Sequence, residues 1–270
     1  MNMQVTELWQ YPIKSCKGNP MQSAEVQPEG FLGDRRYQWV LDNGRFVTQR
    51  EFPQLALLHA AHDDSLLLIT HEQQAWSISP DEFTTKRSVT IWNDEVEADA
   101  YIGSINNEVS QLIGIPMSLV RMPEKARPIS DNCAEGHVSF ADGLPYLITN
   151  MQSLAELNGR LENPVTMAHF RANIIVDGEV AYEEDHWQRV RIGEVIFRAV
   201  KPCARCVMTT IDPLTAKKDA AAEPLKTLST YRMLKPGKII FGMNMIAEGS
   251  GVVRVGDELT LLCVTDRKNP

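Results

Sequence analysis

The sequence predicts a mainly β protein with a few short helices. Three observations carry the prediction: short β-branched and aromatic runs alternate with turn residues along the whole chain, an Asp-Asn-Gly turn joins two of them, and only three stretches show helical spacing. The strand candidates, in order, are VTELWQYPI from Val5, RRYQWVLDNGRFVT from Arg35, SLLLITHEQQAWSI from Ser65, EVIFRAV from Glu194 and GVVRVGDELTLLCV from Gly251. Between Asp42 and Gly44 the turn predicts a hairpin, because Asn and Gly tolerate the positive φ that a tight turn requires.

The first helix is predicted from Ile105, Val109, Leu112 and Ile113, which share one face and stop before Gly114 and Pro116. Met151, Leu154, Leu157 and Leu161 make the second stripe, with Thr149 and Gln152 as its expected capping box. A third, short helix is expected to begin at Pro224 and run through LKTLSTYR, proline being tolerated in the first turn. The softest boundary is MPEKARPISDN, Met122 to Asn132, rich in proline and polar residues, which divides the chain into 1–123 and 124–266.

Composition limits the function classes. The 270 residues, 43% hydrophobic and 23% charged, describe a globular protein with a large core. No run approaches the roughly 18 apolar residues of a membrane span, and the start MNMQVTELWQYPIK lacks the layout of a signal peptide, so a cytoplasmic location and no membrane partner are expected. A net charge of -8 disfavours nucleic acid as a partner and means that any anionic ligand must be met by a local cluster of bases. Five unevenly spaced cysteines, Cys16, Cys133, Cys203, Cys206 and Cys263, are expected as thiols rather than as a disulfide framework.

The stretch KPCARCVMTTIDP, Lys201 to Pro213, holds the one C-x-x-C. A structural zinc site wants a second ligand pair, which is missing. A redox dithiol normally opens a helix, whereas VMTTI after Cys206 favours a strand. Two buried packing cysteines are the plain alternative, against which Arg205 stands, because a guanidinium beside a thiol favours thiolate and offers an anion-binding fork. The motif by itself leaves these readings open.

Around it, YPIKSCKG, LGDRRYQWV, FVTQRE, HFRANIIV, AAEPLKTLSTYR and FGMNMIAEGSGVVRVGDELTLL follow in this order. The series resembles the MOSC proteins, a family related to the C-terminal domain of molybdenum cofactor sulfurase, in the branch of the mitochondrial amidoxime-reducing component and its bacterial relatives. The likeness runs from Val5 to Leu262. It implies a MOSC β-barrel domain beside an N-terminal β domain, with a molybdenum cofactor bound between them, and through the sulfurase kinship it carries an association with pyridoxal phosphate binding. In the family motif the second cysteine of the pair is the molybdenum ligand, which falls on Cys206, and a soft thiolate suits that metal. Lys14, Ser15, Arg35, Arg171, Asn173 and Arg205 match family positions around the cofactor, Asn244 stands where the mitochondrial proteins have tyrosine, and Asp142 in FADGLPYLIT matches an acidic position suited to passing a proton.

The implied activity is reduction of hydroxylamines, amidoximes or hydroxylated nucleobases by N–O cleavage at a cysteine-ligated molybdenum. A carrier module, holding a persulfide or the cofactor on Cys206 without turnover, is the alternative. The chain has neither a G-x-G-x-x-G opening a helix nor the C-x4-C-x2-C of the ferredoxin domain that bacterial relatives commonly append, so a separate electron donor, a ferredoxin or flavoprotein reductase, is expected.

Overall fold

A computed structural model describes residues 3–63, 66–129 and 134–264 of the chain. Seven strands close into a barrel: Tyr146–Asn150, Ile174–Val176, Met3–Gln10, Glu258–Val264, Trp187–Ile192, Val195–Ala204 and Lys238–Ala247, the last pairing back onto the first through Tyr146 with Met245 and Ile148 with Met243. The mainly β expectation holds. Each of the seven strands is paired on both sides, and the one parallel step among them, Tyr146–Asn150 to Ile174–Val176, is where helix Met151–Asn158 makes the crossover. Leu8, Ile148, Ile174, Val190, Phe197 and Met245 fill the interior, with Tyr146 edge-on to Phe31 and Phe197.

The N-terminal part builds a second core. Tyr37–Val40, Ser118–Arg121, Asp94–Tyr101 and Phe83–Ile91 form an antiparallel sheet, and His59–Asp63, Leu66–His71 and Gln74–Ile78 a smaller one. Trp39, Leu55, Leu67 and Ile69 are fully buried between them and helix Ile105–Ile113. That helix buries Ile105, Val109 and Ile113 but leaves Leu112 exposed, and ends at Gly114 in the left-handed conformation that relieves its last turn. The two parts interlock through the chain's own ends. Met3–Gln10 lies within the barrel, and Ser23–Gln27 pairs with Gly251–Arg254.

The Asp42–Gly44 turn is present, with Leu41 N–H donating to the Arg45 carbonyl and Gly44 at φ 79°. The short helix after Pro224 spans Leu225–Ser229. Three local expectations are corrected. The second helix is capped by Asn150, whose Oδ1 accepts from Gln152 N–H at 2.8 Å, because Thr149 is still paired with Ile175 in the sheet; Leu161 lies beyond its end. After Cys206 the chain forms not a strand but a 3-10 turn, Val207–Thr210. The hydroxyls of Thr209 and Thr210 donate to the carbonyls of Cys206 and Val207, a local bonding that competes with strand pairing. Part of the linker around Met122–Asn132, and Cys133, lie outside the described residues.

Candidate active site

Between the barrel and the N-terminal sheets lies a cleft of about 740 Å³, and all nine residues singled out in the sequence line it: Lys14, Ser15, Arg35, Asp142, Arg171, Asn173, Arg205, Cys206 and Asn244. Six separate parts of the chain supply them. After strand Met3–Gln10, the Tyr11-Pro12 step and a left-handed Ser15 turn the backbone back, and Lys14 N–H donates to the Tyr37 carbonyl. This holds Lys14 and Ser15 at the cleft wall, both almost wholly buried. Arg35, Arg171 and the cleft-lining Trp92 are also left-handed, at φ 48°, 53° and 55°, so four cleft residues occupy a conformation that side chains usually avoid.

The two arginines flank one ring. Their guanidinium carbons lie 4.4 and 4.2 Å from the centroid of Tyr11, while Arg35 donates to Asp34 and Asn173 and Arg171 donates to the Cys16 carbonyl at 2.7 Å. Burial lowers the Arg171 pKa to about 10, and burial raises Tyr11 to about 12, so at neutral pH the first is charged and the second is not. Asn173 is held between Arg35, Leu147 N–H and the Trp9 carbonyl.

The C-x-x-C segment enters from strand Val195–Ala204. Register shifts near Ala199 and Pro202 bend its end, and every residue from Lys201 to Cys206 borders the cleft. The two cysteines have different settings. Cys203 receives a hydrogen bond from Arg205 Nη1 at 2.9 Å, and Arg205 is braced by the Phe170 carbonyl above the stacked Phe170–Phe241 pair. Cys206 stands at the start of the 3-10 turn, and its sulfur accepts from Arg50 Nε at 3.3 Å. Both thiols are free. Cys16, by contrast, is sealed in the N-terminal core, its thiol pushed up to about 12 by burial.

Asp142 sits at the cleft wall with half its side chain exposed, in ion pairs with Lys14 and Arg50 and accepting from Trp92 Nε1 at 3.3 Å. Desolvation at the cleft wall works to raise its pKa, but the Lys14 ammonium and the Arg50 guanidinium override it and hold the group well below the usual carboxylate range. Burial also lowers Lys14, with Asp142 opposing. The two cations thus favour Asp142 as an ionised acceptor facing Lys14 Nζ.

Arg50, Trp92, Lys201 and Lys238, outside the nine, also line the walls. Arg50 stands inside the quoted FVTQRE and had a signal; Trp92 had none. Lys14, Arg35, Arg50, Arg171, Lys201, Arg205 and Lys238 put seven bases on the cleft against one carboxylate, in a chain whose net charge is -8. Such a concentration selects an anionic ligand. Among the described residues no three His, Cys, Asp or Glu side chains gather to hold a metal by themselves.

The profile of the MOSC N-terminal β-barrel domain matches residues 2–116, and that of the MOSC domain matches residues 135–260. Human mitochondrial amidoxime-reducing component 1 is 34% identical over 96% of this chain and 82% of its own length, and bovine mitochondrial amidoxime reducing component 2 is 31% identical over 94% and 81%. Rice molybdenum cofactor sulfurase is 29% identical over 86% of this chain and 31% of its own length. Of solved structures, the YUAD protein from Bacillus subtilis aligns with a TM-score of 0.43 at 12% identity, over 96% of this chain and 94% of that one. With both domain profiles matched in order and the amidoxime-reducing components aligned over nearly its whole length, the chain belongs to the MOSC family, in the branch of those components.

Proposed function

We propose that the chain is a molybdenum-cofactor-dependent oxidoreductase that reduces N-hydroxylated compounds by cleaving the N–O bond. The observation that carries this reading is the Cys206 thiol, engaged by Arg50 and set apart from Cys203, in a cleft walled by seven bases. The residues fit a pyranopterin dithiolene with a terminal phosphate. Phosphate and pterin call for charged two-pronged donors, which Arg35, Arg171 and Arg205 offer, with Lys14 as a point charge and the buried Nε of Arg205 still unpartnered. A metal that brings its own dithiolene sulfurs needs only one protein ligand, and Cys206 is the soft donor that suits it. Ser15, Asn173 and Asn244 add neutral hydrogen-bonding groups along the same walls.

When bound, the cofactor supplies two-electron reduction at a soft metal centre. The protein's share is to orient it, to exclude water and to manage charge. Lys14 Nζ holds the proton that the departing hydroxyl requires, Asp142 keeps that ammonium in place and accepts N–H groups of the substrate, and Arg50 ties Asp142 to the ligand cysteine. Electrons come from a separate ferredoxin or flavoprotein reductase in a cytoplasmic setting. Pyridoxal phosphate drops out of the reading: the matched span is under a third of the rice sulfurase, and both matching profiles are of the MOSC type.

The test is turnover of benzamidoxime or a hydroxylated purine by molybdenum-loaded protein. Amidine or amine formation with an artificial reductant, and none with NADPH alone, is expected. Loaded protein that binds the cofactor but turns over neither compound would instead favour the carrier role for Cys206.

A further inference from the structure

Strands Phe83–Ile91 and Asp94–Tyr101 are joined by two residues, Trp92 and Asn93, since Ile91 pairs directly with Asp94. Trp92, the first of them, has φ 55°. Two-residue hairpin turns give such a position to glycine or asparagine, and a bulky side chain there is strained. The indole is nonetheless 49% exposed, so core packing does not account for it. Instead it reaches the cleft: Nε1 donates to Asp142 Oδ1 at 3.3 Å, the Arg50 guanidinium lies 4.5 Å from the ring, and Phe46 supports it at 5.2 Å. A strained residue persists where its surroundings over-determine it, and here those surroundings include Arg50, which itself donates to Cys206.

We propose that Trp92 is a specificity-determining residue, its indole being the platform for planar, delocalised N-hydroxylated substrates. The inference rests on the function proposed above and goes beyond it by naming which members of that class the site prefers. An amidoxime attached to an aromatic ring, or a hydroxylated purine, is flat and brings a π face that stacks on indole, while its N–H groups find the ionised Asp142 carboxylate beside the ring. A saturated hydroxylamine has no such face. Arg50, on the ring and bonded to Cys206, links the stacking surface to the reacting end of the cleft.

The experiment compares benzamidoxime with N-methylhydroxylamine in molybdenum-loaded wild type, Trp92→Phe and Trp92→Asn. Asparagine accepts the left-handed conformation, so the hairpin is expected to fold, with Tm within about 3 °C of wild type. Wild type should prefer benzamidoxime in kcat/KM, Trp92→Asn should lose that preference roughly tenfold, and Trp92→Phe should retain most of it, since a stacking face remains. Benzamidoxime should also quench wild-type indole fluorescence saturably, and Trp92→Asn should lose the saturable part. An unchanged preference in Trp92→Asn, or an equal loss in both variants, would overturn the platform, the second by pointing to the Nε1 bond. Failure of wild type to turn over either compound would count against the proposed function, while the fluorescence titration would still show whether Trp92 binds the planar ligand.

Discussion

Arg50 Nε donates to the sulfur of Cys206 across 3.3 Å, although the two residues lie 156 positions apart. The same guanidinium reaches Asp142 and rests against one side of the half-exposed Trp92 ring, so one N-terminal side chain ties together the carboxylate, the aromatic wall and the thiol of the barrel.

A hydrogen bond to a ligand thiolate withdraws electron density and favours the reduced metal. Arg50→Leu should therefore move the molybdenum midpoint potential negative. A bond whose strength differs by about 1.4 kcal/mol between the two redox states corresponds to about 59 mV for one electron. Redox titration followed by electron paramagnetic resonance checks this, and an unchanged potential would reduce Arg50 to a packing role.

Cys206→Ser should abolish activity and alter the Mo–S signature in X-ray absorption, because an alcohol replaces a soft thiolate poorly. Cys203→Ser should keep much of both, its sulfur being engaged by Arg205 instead. Equal loss in the two variants would support a dithiol mechanism.

Arg171→Ala and Lys14→Ala should each lower cofactor occupancy, a charge-assisted contact being worth about 1.5–3 kcal/mol, or roughly 10- to 100-fold in affinity. The measurement is molybdenum and pterin content after equal washing. Unchanged occupancy with a lower Tm would show these residues to be ordinary structural cations.

Glu184 is wholly buried against helix Met151–Asn158, both oxygens 2.9 Å from Ser153 Oγ, and burial raises its pKa to about 8. Unfolded, the group titrates near 4.3, so between about pH 4.3 and 8 the folded state binds more protons and stability falls as pH rises. Glu184→Gln removes the titration. Its Tm should gain on wild type from pH 5 to 8, by several degrees at pH 8, one kcal/mol being worth about 2–4 °C in a chain of this size. Parallel Tm curves for the two proteins would show that Glu184 is ionised when folded.

The strand runs, the Asp42–Gly44 hairpin and three helices were legible because each depends on local spacing and turn chemistry. The cap at Asn150 and the turn after Cys206 were not, since they are decided by where sheet pairing stops and by hydroxyl bonds that compete with it. Closure of the barrel by its first strand depends on partners more than 160 positions away, which no local pattern encodes. The cleft residues lay within motifs, but the Lys14–Asp142–Arg50–Cys206 chain became visible only in three dimensions, and with it the two cations that hold the Asp142 carboxyl low. Trp92 breaks the usual turn chemistry, so a sequence pattern gives it no place in a site.

If this cleft holds a molybdenum cofactor through Cys206, elemental analysis of protein produced in cells competent for cofactor synthesis gives roughly one molybdenum per wild-type chain, with pterin released on denaturation, and less in Cys206→Ser, the remainder carrying the altered Mo–S signature. Zinc in its place, or no metal despite an intact cofactor supply, would contradict the assignment.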